Sequence, residues 1–309
     1  MFAVVVRKYG GPESLELVEV AIPEPGPGEV RIKVAAAAVN PVDIATRAGF
    51  FAGVIGERPT VGIGWDVAGT VDAVGSEVTT FAVADKVVAL LDEIAVDLGT
   101  YAEYVVLAAG AVAHAPTLVD PVAASTLPLN ALTAEQALDL LALTAGQALL
   151  ITGAAGALGG YAVTLAHRRG LRVFATAAAH DEVAVREFGA DVFVARTTDL
   201  SSAVRAVLPG GVDGVLDAAR IGLAARDCVR DGGSFVAVND PDMPPSVRGI
   251  TVQTVHVHHD GNRLAELVQA VDAGTISPRV TKILPLAQAS EAHRLVEKGG
   301  LRGRIVLVP

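Results

Sequence analysis

"LLALTAGQALLITGAAGALGGYAVTLA", residues 140–166, carries no charged residue over 27 positions. Its length meets that of a membrane-spanning helix, since about 20 apolar residues cross a bilayer. Its internal punctuation points elsewhere. Thr144, Gly146 and Gln147 form a turn-like cluster, and "ALLIT" (148–152) is then an apolar run of strand length. Gly153, Gly156, Gly159 and Gly160 follow within eight residues, and "YAVTLAHRRG" has helical spacing with a basic end before Gly170. Membrane helices that pack through small residues would also use such glycines. No second long apolar run accompanies this one, so the stretch reads as a buried strand, a glycine turn and a helix.

A strand that ends in glycines and opens a helix leaves the first helical N–H groups without intrahelical partners. Together with the helix dipole, those groups favour an anion. Against the pattern G-x-G-x-x-G, the three glycine places fall on Ala154, Gly156 and Gly159, so the first is replaced. Gly156 lets a pyrophosphate approach the backbone, and Gly159 lets the helix pack close to the strand. Gly153, Ala154, Ala155, Gly156, Ala157, Leu158 and Gly159 are therefore the candidate diphosphate cradle. An alanine-rich strand and helix whose glycines serve packing alone is the competing reading.

The downstream pattern favours the cradle. "LRVFATA" (171–177), "DVFVA" (191–195), "GVDGVLDAA" (211–219) and "GGSFVAVN" (232–239) read as strands. "DEVAVREFGA" (181–190), "LSSAVRAVL" (200–208) and "GLAARDCVR" (222–230) read as helices between them. That alternation implies a parallel sheet covered on both faces, the doubly wound nucleotide-binding layout. The tip of the second strand, Thr176-Ala177-Ala178-Ala179-His180, carries no acid to hold a ribose 2′-OH. Small residues leave room for a 2′-phosphate that His180 partly neutralises, which favours NADPH over NADH. The expected Lys or Arg is missing there, and a solvent-exposed His180 without a ligand is the alternative. Asp181 follows at an expected helix N-cap.

The chain has 309 residues, enough for about two domains, with 51% hydrophobic and 19% charged residues. Acids outnumber bases 34 to 24, which disfavours nucleic acid and anionic membrane as main partners. The one cysteine, Cys228, can form neither an internal disulfide nor a thiolate cluster, and fits a cytoplasmic location. The opening "MFAVVVRKYGG" is not read as a signal peptide. Residues 1–120 differ in pattern. "EVRIKVAAAAV" (29–39) alternates like a half-buried strand after a Pro- and Gly-rich turn, and "WDVAGTVDAVG" (65–75), "DKVVAL" (85–90) and "TYAEYVVLA" (100–108) add more strands. The last stretch, 278–309, reads strand–helix–strand and is expected to return to that first domain.

On "YGGPESLELVEV" (9–20), "PEPGPGEVRIKVAAAAVNPVD" (23–43), "GWDVAGTVDAVGSEVTTFAVADKV" (64–87), "GTYAEYVV" (99–106), "LPLNALTAEQAL" (127–138), "GAAGALGGYAVTLA" (153–166) and "GRIVL" (303–307), the chain resembles the medium-chain dehydrogenase/reductases. Within them it resembles the zinc-free NADPH:quinone oxidoreductase, zeta-crystallin-like branch. The resemblance implies an α/β fold: a GroES-like twisted β-barrel domain over 1–122 and 275–309, and a doubly wound parallel-sheet (Rossmann) domain over 123–274. It implies a homodimer and a small quinone or enone substrate.

Zinc-dependent relatives carry a Cys in the loop that is "VNPVD" (39–43) here, and Gly-His-Glu where this chain has Gly64-Trp65-Asp66. Asn40 and Trp65 replace zinc ligands and no Cys cluster exists, so no metal is expected. Without a Lewis acid, alcohol oxidation gives way to hydride delivery onto a quinone or an α,β-unsaturated carbonyl, whose developing oxyanion needs only hydrogen-bond donors.

The resemblance places Asn40 beside the nicotinamide and substrate, with Asp43 orienting it or capping the helix "VDIATRAG". It places Thr133 against the nicotinamide; Thr133 and Gln136 also have capping-box spacing. Ala218, Val238 and His256 are expected along the cofactor. If "VHVHHDG" (255–261) is a strand, His256 and His258 share a face and His259 points away, too few ligands for a metal. Three departures from the family stand out: Ala45 replaces a tyrosine common in quinone reductases, Glu135 replaces the Trp of "LTAW", and the basic grip on the 2′-phosphate is weak. No general acid is assigned, and solvent supplies the proton. A 2-enoyl thioester reductase and a non-catalytic NADPH-binding protein are the alternatives.

Overall fold

The computed structural model describes residues 1–309, the side chain of Asp242 apart. The chain forms two compact units: Met1–Leu132 with His258–Pro309, and Thr133–Val257. The resemblance implies breaks at 122/123 and 274/275. The second break comes earlier because helix Gly261–Asp272 packs against strand Val112–His114 of the first unit. A Cβ at Gly261 would stand 2.6 Å from the Val112 carbonyl, and Asp272 accepts the Thr117 N–H at 2.8 Å.

The first unit is built around strand Glu29–Val39. Its first half alternates, with Val30, Ile32 and Val34 buried and Lys33 exposed, as expected of a strand with one wet face. From Ala36 to Val39 every residue is buried. This strand pairs antiparallel with Asp66–Val74, Tyr104–Ala108 and Arg304–Val308. The sheet then extends to Lys86–Leu90 and Val112–His114 on one side and Val280–Pro285 on the other. The carboxyl-terminal strand–helix–strand thus joins the amino-terminal strands, as its pattern suggested.

The second unit is a six-stranded parallel sheet in the order Val192–Ala195, Arg172–Ala177, Ala148–Thr152, Val212–Asp217, Val229–Ala237, Thr251–Thr254. All five residues of Ala148–Thr152 are buried, because neighbours flank the strand on both edges and cover both faces. The charge-free run is therefore a helix end, a turn, this central strand, a glycine loop and helix Ala157–Arg168. No helix among the described residues is long and apolar enough to cross a membrane.

Gly153 adopts φ +62°, a left-handed turn out of the strand. Gly159 faces back onto it: a Cβ there would stand 2.2 Å from the Gly153 carbonyl oxygen and 2.8 Å from Ala154 Cα. Gly159→Ala is expected to lower the unfolding free energy by about 1–3 kcal/mol, as overpacking does, and to displace the 153–156 turn. Urea denaturation of the two proteins checks the first, and loss of dinucleotide binding checks the second.

Candidate functional site

In the second unit, the predicted cofactor residues Gly153–Gly159, Thr176, Ala177, Ala218 and Val238 gather at the carboxyl ends of four adjacent strands. The order is Arg172–Ala177, Ala148–Thr152, Val212–Asp217, Val229–Ala237, so neighbouring tips present one continuous edge. The loop is fixed from both sides. Ala154 N–H donates to the Thr176 carbonyl at 3.1 Å, and Gly156 N–H donates to the Gly153 carbonyl at 2.9 Å. Gly156 is the N-cap of helix Ala157–Arg168, with extended backbone and no side-chain cap. A helix start without a side-chain cap suits an anion.

Sequence reasoning did not single out the two side chains that brace this edge. Thr152 Oγ1 donates to Asp217 Oδ1 at 2.6 Å and accepts the Ala219 N–H at 2.8 Å. Asp217 Oδ2 accepts the Gly222 N–H at 2.7 Å. A carboxylate closing the apolar run of "GVDGVLDAA" was the available signal.

Two expectations are corrected. Thr133 is not an N-cap: helix Pro128–Leu141 starts a turn and a half earlier, at a proline suited to the first helical position, and buries Thr133 and Gln136 within it. "VHVHHDG" is not a strand, because Thr251–Thr254 ends before it. His256 Nε2 lies 3.0 Å from Asp240 Oδ1 and is exposed, while His259 pairs with Asp92 at 2.8 Å. Asp181 is the N-cap of Glu182–Glu187 as expected, without a side-chain cap hydrogen bond, and its Oδ1 lies 3.7 Å from the exposed His180. Glu135, the departure from Trp, ion-pairs with Arg169, which also reaches Asp139 at 2.8 Å.

In the first unit a buried polar network surrounds Asn40, which has no exposed surface. Its Nδ2 donates to Asp66 Oδ2 at 2.8 Å and to the Ala38 carbonyl at 3.3 Å, and its Oδ1 accepts from Asn130 Nδ2 at 3.1 Å. Both amide hydrogens are committed within the protein. Asp66 Oδ1 accepts the Leu129 N–H at 2.7 Å, so both its oxygens receive donors. Arg304 hydrogen-bonds Asn130 Oδ1. Asp43 Oδ2 accepts the Asn40 N–H at 2.7 Å, capping helix Pro41–Arg47, and also the Tyr101 hydroxyl at 2.9 Å. Tyr101 Oη lies 3.4 Å from His293 Nε2. Tyr101, His293 and Arg304 were not singled out in the sequence, because nothing local marks residues this far apart as one cluster.

This donor set does not fit a zinc ion. Asn40 Oδ1 and both Asp66 oxygens already face N–H donors, and the buried Trp65 offers no lone pair. Among the described residues no group of three or more His, Cys, Asp or Glu could hold a metal. The uncapped helix start and its glycine turn do fit a dinucleotide diphosphate.

Two family models match the chain: an alcohol dehydrogenase GroES-like domain over residues 26–117 and a zinc-binding dehydrogenase over 188–307. An NADPH-dependent alkenal/one oxidoreductase of Arabidopsis thaliana chloroplasts is 32% identical over 318 residues, covering 100% of this chain and 80% of that protein. The chain is a medium-chain dehydrogenase/reductase of the quinone oxidoreductase branch. This reductase also superposes on two solved structures. One is an NAD-dependent alcohol dehydrogenase, at TM-score 0.88 and 31% identity, with 100% of both chains covered. The other is the quinone oxidoreductase of Coxiella burnetii, at 0.87 and 27%, with 100% and 99% covered.

Burial dominates the network's protonation. It pushes the carboxyls of Asp43 and Asp66 up to about 7, against the hydrogen bonds each accepts. Burial, with the charge of Arg47, drives His293 down to about 3. A carboxyl raised in the folded state contributes stability that is full below its unfolded value and lost as pH rises through the folded one; neutral His293 works in the opposite sense. Asp43→Asn mimics the protonated acid at every pH. It is expected to gain on the wild type by on the order of 2 kcal/mol between pH 5 and pH 7 in denaturant titrations. Asp66→Asn turns an N–H donor toward Asn40 or Leu129 and is expected to cost about 2 kcal/mol near neutral pH by the same measurement.

Proposed function

We propose that this chain is an NADPH-dependent, zinc-independent reductase of quinones or α,β-unsaturated carbonyls. The observation that carries the reaction class is the closed Asn40–Asp66–Asn130 network. By the family resemblance Asn40 stands where zinc relatives carry a ligand, and its side chain is already bonded to Asp66 and Asn130. With no Lewis acid to generate an alkoxide, the favoured acceptor is already electrophilic. The Arabidopsis relative, named for reducing alkenals and alkenones, and the Coxiella quinone oxidoreductase support the same class.

Reduced nicotinamide, when bound, supplies hydride from its C4. The residues proposed to hold the dinucleotide are the backbone of Gly153–Gly159 at the diphosphate, with Thr176, Ala177, Ala218 and Val238 along the same edge. Thr133 and His256 belong to the proposed site on family grounds, and His180 stays exposed beside the second strand's tip. In this reading Asn40 and Asp43 are positioning residues. Asn40 has no free amide hydrogen for a substrate oxygen, and Asp43 fixes the turn that carries it. The proton that completes the reduction comes from solvent. The single Cys228 is buried, its thiol pushed up to about 12 by that burial, which suits a protein of the reducing cytoplasm. The sheet ends on strand Thr251–Thr254, an edge that a second copy would extend in a homodimer.

Consumption of NADPH against a panel of quinones, enones and enoyl thioesters, with and without a chelator, tests the proposal. Turnover of a quinone or enone that the chelator leaves unchanged is expected. Alcohol oxidation abolished by the chelator would sink it, as would NADPH binding with no acceptor turned over. In the same assay Asn40→Ala is expected to lower kcat about tenfold or more with little change in KM for NADPH, as loss of positioning does.

A further inference from the structure

We propose that Arg196 holds the 2′-phosphate of NADPH, supplying from the neighbouring strand the cation that the second strand lacks. The inference rests on the reading that the Gly153–Gly159 loop binds the diphosphate. Its relatives differ in cofactor: the Arabidopsis protein is named NADPH-dependent and the superposed alcohol dehydrogenase NAD-dependent.

The tip of the second strand has neither the acid that selects a ribose 2′-OH nor a Lys or Arg for a phosphate. Ala177 and Ala178 there are buried. Strands Arg172–Ala177 and Val192–Ala195 run parallel with Ala177 opposite Ala195. The next residue, Arg196, donates its N–H to the Ala177 carbonyl at 2.7 Å. Its backbone is fixed beside the tip, and the turn closed by Thr198 N–H on the Ala195 carbonyl at 2.9 Å holds it there.

The side chain is available. Arg196 is exposed, and among the described residues its guanidinium makes no hydrogen bond or ion pair. Arg169, Arg186, Arg230 and Arg248, by contrast, are ion-paired. The nearby carboxylates are engaged elsewhere. Asp181 is largely withdrawn from solvent, and Asp199 accepts the Ser202 N–H at 2.8 Å as the cap of helix Leu200–Val207. A guanidinium presents forked donors that match two phosphate oxygens, whereas the 2′-OH of NADH offers it no charge. Arg196 thereby discriminates between the two cofactors.

Titration calorimetry on the full chain with NADPH, NADH, 2′,5′-ADP and 5′-AMP tests this, using Arg196→Ala and Arg196→Lys. The wild type is expected to bind 2′,5′-ADP more tightly than 5′-AMP, with an advantage that shrinks as salt rises. Arg196→Ala should weaken NADPH and 2′,5′-ADP about 10- to 100-fold while leaving NADH and 5′-AMP unchanged. Arg196→Lys should keep part of the preference. A preference for 2′,5′-ADP that survives Arg196→Ala overturns the assignment, as does its absence from the wild type, and both leave hydride transfer from NADH standing. Failure of every nucleotide to bind overturns this assignment and the proposed function together.

Discussion

No side chain fits at Gly159. The helix that starts at Ala157 runs so close to the turn leaving strand Ala148–Thr152 that even a methyl group would collide with the Gly153 carbonyl. This approach sets where the helix start lies relative to the strand tips, and the other features of the edge follow from it. Gly153 turns through a left-handed conformation to make room, Ala154 ties the turn to the second strand, and Thr152 with Asp217 braces the third side. A helix dipole acts only within its first turn, so its use depends on holding that turn still. Here glycine packing does so, where a capping side chain would have occupied the same space.

The first unit solves a different problem. Its polar centre is buried, so each donor and acceptor has to be matched inside the protein. Asp66 succeeds fully, with both oxygens facing N–H groups. Asp43 succeeds on one oxygen only, and its Oδ1 has no partner. Asn40, Asp66 and Asn130 are built into a hydrogen-bonded frame that holds the Asn40 turn.

Much of this was legible in the sequence. The strand–glycine–helix reading of residues 148–168 needed only apolar runs and glycine spacing, because local geometry decides both. The alternation of 29–39 gave its strand to the residue. Where the reading slipped, a local signal had two uses. Thr133 and Gln136 have capping-box spacing, but Pro128 begins the helix earlier and the same spacing lies on a buried face. The histidines of 256–259 alternate like a strand, yet no neighbour extends the ladder past Thr254, and they pair with Asp240 and Asp92 instead.

The sequence by itself determined the two kinds of sheet and the glycine turn at the head of a helix, since each depends on residues close together in the chain. Only the tertiary structure decided which distant side chains meet. Tyr101 and His293 close on Asp43, and Arg304 reaches Asn130, across separations that no periodicity encodes. It also decided that Arg196 sits at the tip of a strand to which it does not belong. Strand register is set by pairing between segments, and a sequence lists the segments without saying which residue of one lies opposite which residue of the other.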